Sequence, residues 1–245
     1  MVTGPAAPRH WFEGDAFRTR FLESMSLLAP EAERFFIGTI RERLDGIADP
    51  ALRARCGAFI REEGQHSLDH HRFNARLDGQ GLDPARILRP VRALTDFARR
   101  TLTRDLRLAV TAAGEHVSAV LSGLFLETRA ADGIRDTAAR ALYLRHAREE
   151  IGHRDVAYDL LQASGVGYLS RIVALLAVTL ATPLCVAWVV HGLLAADAPR
   201  WKHWLRGLPW LLGLRGGFLV PRTLLGNYLR YFKPGFHPGR AMTVA

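Results

Sequence analysis

Two segments of the sequence repeat the motif Glu-x-x-His, which combines two side chains that can bind metal. The first runs from Glu63 to His66 and the second from Glu150 to His153. A separation of three residues places both side chains on one face of a helix, where they can reach the same ion. A single pair of this kind is a weak signal, because many helices carry one by chance as a solvated pair. Two pairs in one chain are a stronger signal when each also follows another glutamate at a matching distance.

Each motif follows a further glutamate at a similar distance. Glu33 precedes Glu63 by 30 residues, and Glu115 precedes Glu150 by 35 residues. One glutamate from each of two helices, with Glu-x-x-His from each of two others, is the ligand set of carboxylate-bridged di-iron and di-manganese bundles. Oxygen and nitrogen ligands without a thiolate suit iron or manganese, and zinc is possible. We therefore expect two metal ions, iron first, on six ligands: Glu33, Glu63, His66, Glu115, Glu150 and His153.

The helix that carries the first motif has polar residues where a core is expected. Its inner positions, at steps of three and four, are Leu52, Cys56, Phe59, Glu63, His66, His70, Asn74 and Leu77. An unpaired buried carboxylate costs several kcal/mol, so such groups must be neutralised, paired or bound to metal. Four further residues are candidates for extra ligands or for partners that orient a ligand: His70, His146, Asn74 and Asp159. No catalytic residue beyond the ligands is predicted.

Helical periodicity dominates the first two thirds of the chain, and no window alternates with a period of two. Glycine and proline divide this part into four predicted helices, at about 30–45, 50–77, 90–129 and 135–164. The predicted fold is all-α, a ferritin-like four-helix bundle over residues 1–165, with a hydrophobic helical extension over residues 166–245.

The extension has the composition of a membrane-associated segment. Residues 172–190 carry no charge and are long enough to span a bilayer. Residues 201–231 mix tryptophan and tyrosine with arginine and lysine, as membrane interfaces do. The simpler alternative is a buried apolar helix followed by a solvated basic tail.

The net charge, the N-terminal segment and the cysteines indicate where in the cell the protein is expected. The net charge of +9 favours an anionic membrane surface over nucleic acid, because the basic residues are spread along the chain without a nucleic-acid-reading motif. The N-terminal segment lacks the apolar region of a signal peptide. Cys56 and Cys185 belong to no motif, and we expect both to be reduced and buried. The predicted location is the cytoplasmic face of the inner membrane, peripheral or with a single span, and the oligomeric state is left open.

Several stretches of the chain also resemble a known family. They include residues 30–36, the run from Glu63 to Asn74, residues 111–116, the run from His146 to His153, and the terminal residues 234–238. Over about residues 30–240 the chain resembles bacterial proteins described as predicted metal-dependent hydrolases. The family commonly has other residues at Ala32, Glu62, Arg145 and Gly152, none of which is an expected ligand. The resemblance implies a di-metal bundle more strongly than it implies a reaction.

Three functions remain open at this point. The first is an O2-activating oxidase or oxygenase that acts on a hydrophobic, lipid-like substrate and receives electrons from a donor. The second is a binuclear hydrolase of an ester or phosphoester, in which two ions activate water. The third is a non-enzymatic iron-binding protein. Dependence on oxygen separates the first function from the second.

Overall fold

The structure, a computed structural model, describes residues 9–214, residue 219 and residues 221–241. Residues 1–8, part of the segment in which no signal peptide is predicted, lie outside these ranges. Within the described residues every regular element is a helix, and the nine α-helices are α1 (Ala16–Arg41), α2 (Pro50–Asn74), α3 (Pro84–Thr101), α4 (Arg104–Glu127), α5 (Thr137–Ala163), α6 (Tyr168–Leu193), α7 (Arg200–Leu211), α8 (Pro221–Arg230) and α9 (Pro238–Ala241). The predicted all-α fold is confirmed.

Helices α1, α2, α4 and α5 form the bundle, with α1 against α2 and α4 against α5. The prediction that the first helix begins near residue 30 is wrong. Helix α1 begins at Ala16, where the Asp15 side chain caps it by accepting a hydrogen bond of 2.9 Å from the Arg18 amide. Pro30 lies inside the helix, near the predicted start.

The predicted helix over residues 90–129 is also wrong, because two helices occupy this range. Leu102 leaves the helical conformation, and the Thr103 hydroxyl then caps α4 by accepting a hydrogen bond of 3.3 Å from the Leu106 amide. Helix α4 enters the bundle, whereas α3 packs outside it against α1 and α6. This arrangement leaves a gap between α3 and α6 that contains a cavity.

The C-terminal helices pack onto the bundle through a buried polar contact. The Arg171 side chain is 2% exposed and donates hydrogen bonds of 3.0 Å and 2.8 Å to the carbonyls of Tyr231 and Lys233. The Tyr158 hydroxyl donates one of 2.6 Å to the Phe236 carbonyl. Arg171 also donates a hydrogen bond to the Tyr158 hydroxyl of α5, and one core cluster contains residues of the bundle and of the extension, so the two share a core. The division into two domains at residue 165 stays a prediction.

Two helices of the described chain are long and apolar enough to cross a membrane, namely α4 and the helix that begins at Tyr168. They differ in burial: 72% of the apolar window is buried in α4, but only 17% in the second helix. Helix α4 is therefore a core helix of the bundle. Helix α6 has an apolar surface that the protein itself leaves uncovered.

Candidate metal centre

The two Glu-x-x-His motifs lie on neighbouring helices that run antiparallel. Helices α2 and α5 pack together so that Glu63 faces His153 and His70 faces His146. The structure thus brings the two motifs into one cluster, as their sequence pattern predicted. Two groups of possible ligands result, each with its ligand atoms within 4.8 Å of one another.

The first group contains Glu63, His66, Glu150 and His153, all of them buried. The Glu150 Oε1 atom lies 3.4 Å from His66 Nδ1 and 3.5 Å from His153 Nδ1. Glu63 Oε1 is in direct contact with His153 Nδ1. Both imidazoles therefore turn the same nitrogen, Nδ1, toward the shared carboxylates.

The outer nitrogens of these imidazoles bind two glutamates that were not predicted as site residues. His66 Nε2 lies 2.7 Å from Glu149 Oε2, and His153 Nε2 lies 2.9 Å from Glu62 Oε2. Each glutamate lies on the helix opposite to the histidine it contacts. Carboxylates in this position fix the orientation of a ligand imidazole and raise its basicity. The signal was present in the sequence, since both motifs read Glu-Glu-x-x-His.

The second group contains Glu33, His70 and His146. His70 Nε2 lies 3.4 Å from His146 Nδ1, and the Ser67 hydroxyl donates a hydrogen bond to Glu33 Oε2. His70 and His146 were candidates for extra ligands or orienting partners, and the structure places both beside Glu33. A second ion held at this end would have two imidazoles of its own.

A chain of hydrogen bonds that begins at Pro30 sets the tautomer of His70. Pro30 has no N–H to give to the Ser26 carbonyl, and the Asn74 side-chain amide supplies that donor instead, at 2.8 Å. The Asn74 Oδ1 atom is thereby turned toward the Ser26 hydroxyl, which donates to it at 2.7 Å.

The only hydroxyl proton of Ser26 is used in that bond. Ser26 Oγ, 2.8 Å from His70 Nδ1, must then accept a hydrogen bond from the Nδ1–H group of the imidazole. His70 Nε2 is left with a lone pair directed at the second group. Asn74, a candidate from the sequence, is accordingly an orienting partner of His70.

Glu115 belongs to neither group but lies within reach of their charges. Its side chain is fully buried, and neither carboxylate oxygen has a hydrogen-bond partner among the described residues. Burial raises the pKa of Glu115 well above its usual value, and the charges of Glu63 and Glu150 raise it further. A buried carboxylate without a partner is expected only where something else neutralises it.

Asp159 was a candidate, and the structure places it outside the site. Its carboxylate contacts Arg55 and accepts a hydrogen bond of 2.8 Å from His237 Nε2. It therefore anchors the C-terminal segment and orients no ligand imidazole. The sequence suggested Asp159 by its residue type alone, which does not identify its partner in another element.

Buried polar atoms in the cluster provide a test of whether cations fit. Within the part of the chain that the structure describes, Glu33 Oε1 and both Glu115 oxygens face the cluster without a hydrogen-bond partner. The remaining inward atoms, namely Glu63 Oε1, His66 Nδ1 and His153 Nδ1, contact only other members of the first group. Unsatisfied buried groups are rare in folded proteins, and cations would satisfy all of these. The donor set of carboxylates and imidazoles fits iron, manganese or zinc.

In the absence of cations, protons balance the charge of the cluster. Burial alone would lower the pKa of His66, but hydrogen bonds and attraction from Glu150, Glu63 and Glu149 raise it to about 9. The same balance, with Glu150 and Glu63, raises the pKa of His153 to about 12. Burial and repulsion from Glu63 raise the pKa of Glu33 well above its usual value. Metal binding must therefore displace protons from these histidines.

An apolar cavity of about 410 Å³ leads to the cluster. Its inner end is lined by Glu33, Glu63, His70, His146 and Glu150. Its remaining wall comes mostly from apolar side chains of α1, α3, α4 and α6, among them Phe36, Leu94 and Ala181. A second apolar cavity, of about 690 Å³, lies on the other side of α6. Ligand cavities are commonly of this size and apolar character.

A helical bundle with two adjacent groups of buried carboxylates and imidazoles defines a protein built to bind metal. The chain belongs to the family described as predicted metal-dependent hydrolase, which matches residues 2–241. No curated protein and no solved structure matches it. The resemblance found from the sequence is confirmed, and the metal dependence in the family description agrees with the site. The preference for an oxidase over a hydrolase finds no support in this description.

Proposed function

We propose that this protein is a metal-dependent hydrolase that cleaves an ester bond in a long-chain, lipid-like substrate. The observation that carries the proposal is the position of the two Glu and His groups at the inner end of an apolar cavity. The family description favours hydrolysis among the reactions that such a site supports.

Two bound cations would supply an activated water and polarise the ester carbonyl. The protein's own residues have separate tasks. Glu63, His66, Glu150 and His153 would hold the first cation, while Glu33, His70 and His146 would hold the second. Glu115, buried beside both groups, supplies a further carboxylate. The remaining contacts orient these ligands: Glu62 and Glu149 hold two imidazoles by their outer nitrogens, and Ser26 holds a third.

The cavity favours a neutral ester over a phosphoester. Among the described residues no lysine or arginine lines it, and the charged side chains at its inner end are glutamates. A phosphate group would find no cationic side chain there, whereas arginine and lysine are the usual partners of phosphate. The apolar wall suits an acyl chain, whose transfer out of water contributes about 0.8 kcal/mol for each buried CH2 group.

The first experiment measures metal content and ester hydrolysis together. Protein purified without oxygen is loaded with iron, manganese or zinc and tested on p-nitrophenyl decanoate, in nitrogen and in air. We expect about two ions per chain and equal hydrolysis with and without oxygen. Glu63→Gln is expected to lose metal and activity. Glu42→Gln changes an exposed carboxylate that pairs with Arg107, and it should retain both.

Oxygen-dependent oxidation is the second candidate. It is favoured by the donor set, since carboxylates and imidazoles without thiolate suit iron, and by an apolar cavity that can exclude water. Oxygen consumption by the iron-loaded protein, with no hydrolysis under nitrogen, would replace the hydrolase proposal with this one. Stoichiometric metal with neither activity would favour the third function, an iron-binding protein.

A further inference from the structure

Helix α6 presents a continuous apolar stripe to the outside. From Leu169 onward its members recur every three or four residues, so they share one face of the helix. Three of the leucines are more than 60% exposed. The stripe consists of Tyr168, Leu169, Val173, Leu176, Leu180, Leu184 and Trp188. Single exposed apolar residues are normal on a protein surface, but a contiguous patch marks a binding surface.

Helices α3 and α7 extend this patch on either side of α6. The gap between α3 and α6 holds the cavity that leads to the metal groups, and the second cavity separates α6 from α7. Helix α3 adds Leu94 and Phe97, and α7 adds Trp201, Leu205 and Leu208. Leu94 is exposed and also lines the first cavity. The mouth of that cavity therefore lies within the apolar patch.

The two helices that flank α6 also expose basic side chains. Helix α3 exposes Arg86, Arg89, Arg99 and Arg100, and α7 exposes Arg200, Lys202 and Arg206. From residue 166 to the C-terminus the sequence contains nine basic residues and a single acidic one, Asp197. That carboxylate is buried and paired with Arg20. A positive rim around an apolar face, with tryptophan at its edge, is the pattern of proteins that lie on anionic membranes.

Both ends of α6 are packed against the protein core, so this helix does not cross a membrane on its own. Ala174 and Leu175 near its start, and Val189, Val190 and Leu193 near its end, are buried in the protein core. The helix thus lies along the bundle over its whole length. If it crossed a bilayer, the charged outer faces of the bundle would enter the hydrocarbon region, which is strongly unfavourable.

We propose that the surface formed by α3, α6 and α7 docks on an anionic bilayer, and that the metal-site cavity opens into this bilayer. The docking inference depends only on the patch and its charges. A second inference depends on the proposed function, namely that the hydrolysed ester belongs to a membrane lipid, which passes from the bilayer into the cavity between α3 and α6. A symmetric dimer through the same face would instead bring two positive rims together.

The test is co-flotation of the full-length, metal-loaded protein with vesicles of phosphatidylglycerol and phosphatidylcholine, compared with vesicles of phosphatidylcholine alone. We expect binding to the anionic vesicles that weakens with salt. The double variant Leu180→Asp, Leu184→Asp should lose at least about tenfold in partitioning. Leu68→Asp is the matched control, since Leu68 is a leucine of α2, 43% exposed, outside the patch.

A charge variant tests the rim separately. Arg99→Gln with Arg100→Gln removes two basic residues, each contributing about 1 kcal/mol near an anionic surface, so binding should fall about 30-fold. Circular dichroism and metal content, unchanged in every variant, establish that the fold and the metal site are intact.

Two results would overturn the docking proposal. One is failure of the wild-type protein to float with anionic vesicles. The other is a stable dimer in light scattering that the Leu180, Leu184 double variant dissociates, because a second copy would then cover the patch. Vesicle binding needs no catalysis, so a protein that floats but hydrolyses nothing contradicts the proposed function and leaves the docking surface intact.

Discussion

Replacing Asn74 with alanine should weaken both folding and metal binding, for two separable reasons. The first is the Ser26 carbonyl, which Pro30 leaves without a helical donor and which Asn74 satisfies at 2.8 Å. Ser26 is fully buried, so water cannot replace the lost donor. An unsatisfied buried group costs about 1–3 kcal/mol, and we expect Asn74→Ala to lower the free energy of unfolding by that amount.

The second reason is the tautomer of His70. Without Asn74 Oδ1, the Ser26 hydroxyl is free to donate to His70 Nδ1 at 2.8 Å, which moves the imidazole proton to Nε2. The lone pair that faces the second group is then lost. Removing a partner that orients a ligand imidazole typically lowers metal affinity 10–100-fold, and we expect a loss of about that size.

The double variant Pro30→Ala, Asn74→Ala separates the two effects. Alanine at position 30 returns an N–H to the Ser26 carbonyl, so most of the lost stability should come back. Alanine at position 30 does not replace Asn74 Oδ1 as the acceptor for the Ser26 hydroxyl, so metal affinity should stay low. Urea unfolding of the metal-free protein measures the first effect, and chelator competition measures the second. Gln65→Ala, which removes an exposed amide from the same helix, is the control.

Two outcomes would refute this reasoning. If the effects of the Pro30 and Asn74 substitutions on unfolding add to within about 0.5 kcal/mol, the carbonyl does not couple them. If Asn74→Ala binds metal as tightly as the wild type, the tautomer of His70 does not depend on Asn74.

Three further predictions concern the site and its cavity. The metal-free protein should lose stability as the pH rises from 6.5 through about 9, because the folded pKa of His66 is raised and the stability from its protonated form is lost above that pKa. Thermal unfolding measures this, and His66→Gln should reduce the slope without abolishing it, since the pKa of His153 is raised as well. Gly114→Ala places a Cβ atom 2.5 Å from the Phe36 ring, which lines the cavity, so we expect ester chain-length preference to shift to shorter acyl chains. Cys185 lines the same cavity and should react with maleimide until a long-chain ligand protects it, whereas fully buried Cys56 should not react in the folded protein.

Each of these predictions has a contradicting result. Stability of the metal-free protein that rises over this pH range would mean that His66 is not held as an imidazolium. An unchanged chain-length profile in Gly114→Ala would remove the acyl chain from the cavity beside Phe36. Equal labelling of Cys185 with and without ligand would do the same for the side of the cavity formed by α6.

The sequence predicted the ligands on α2 and α5 because helical spacing alone decides which side chains share a face. It did not predict that Glu62 and Glu149 bind the opposite histidines, since that depends on the antiparallel register of the two helices. The break before α4 was missed because Leu102 and Thr103 carry no glycine or proline signal. The first helix was predicted to begin about fourteen residues too late, near Pro30. A proline inside a helix is normally unfavourable because it lacks an N–H, and here a side chain from another helix supplies the missing donor.

The contacts of Glu62 with His153 and of Glu149 with His66 expose one side of the metal groups to solvent, while the apolar cavity covers the other side. Glu62 and Glu149 have side chains 56% and 42% exposed, and they touch His153 and His66 on the side away from the shared carboxylates. None of these four residues lines the cavity that reaches the groups from α3 and α6. Under the proposed function, protons would exchange with bulk water through these two contacts while an acyl chain occupies the cavity. Proton transfer and substrate entry would then use separate routes, and the reaction would draw on solvent protons without admitting water to the cavity.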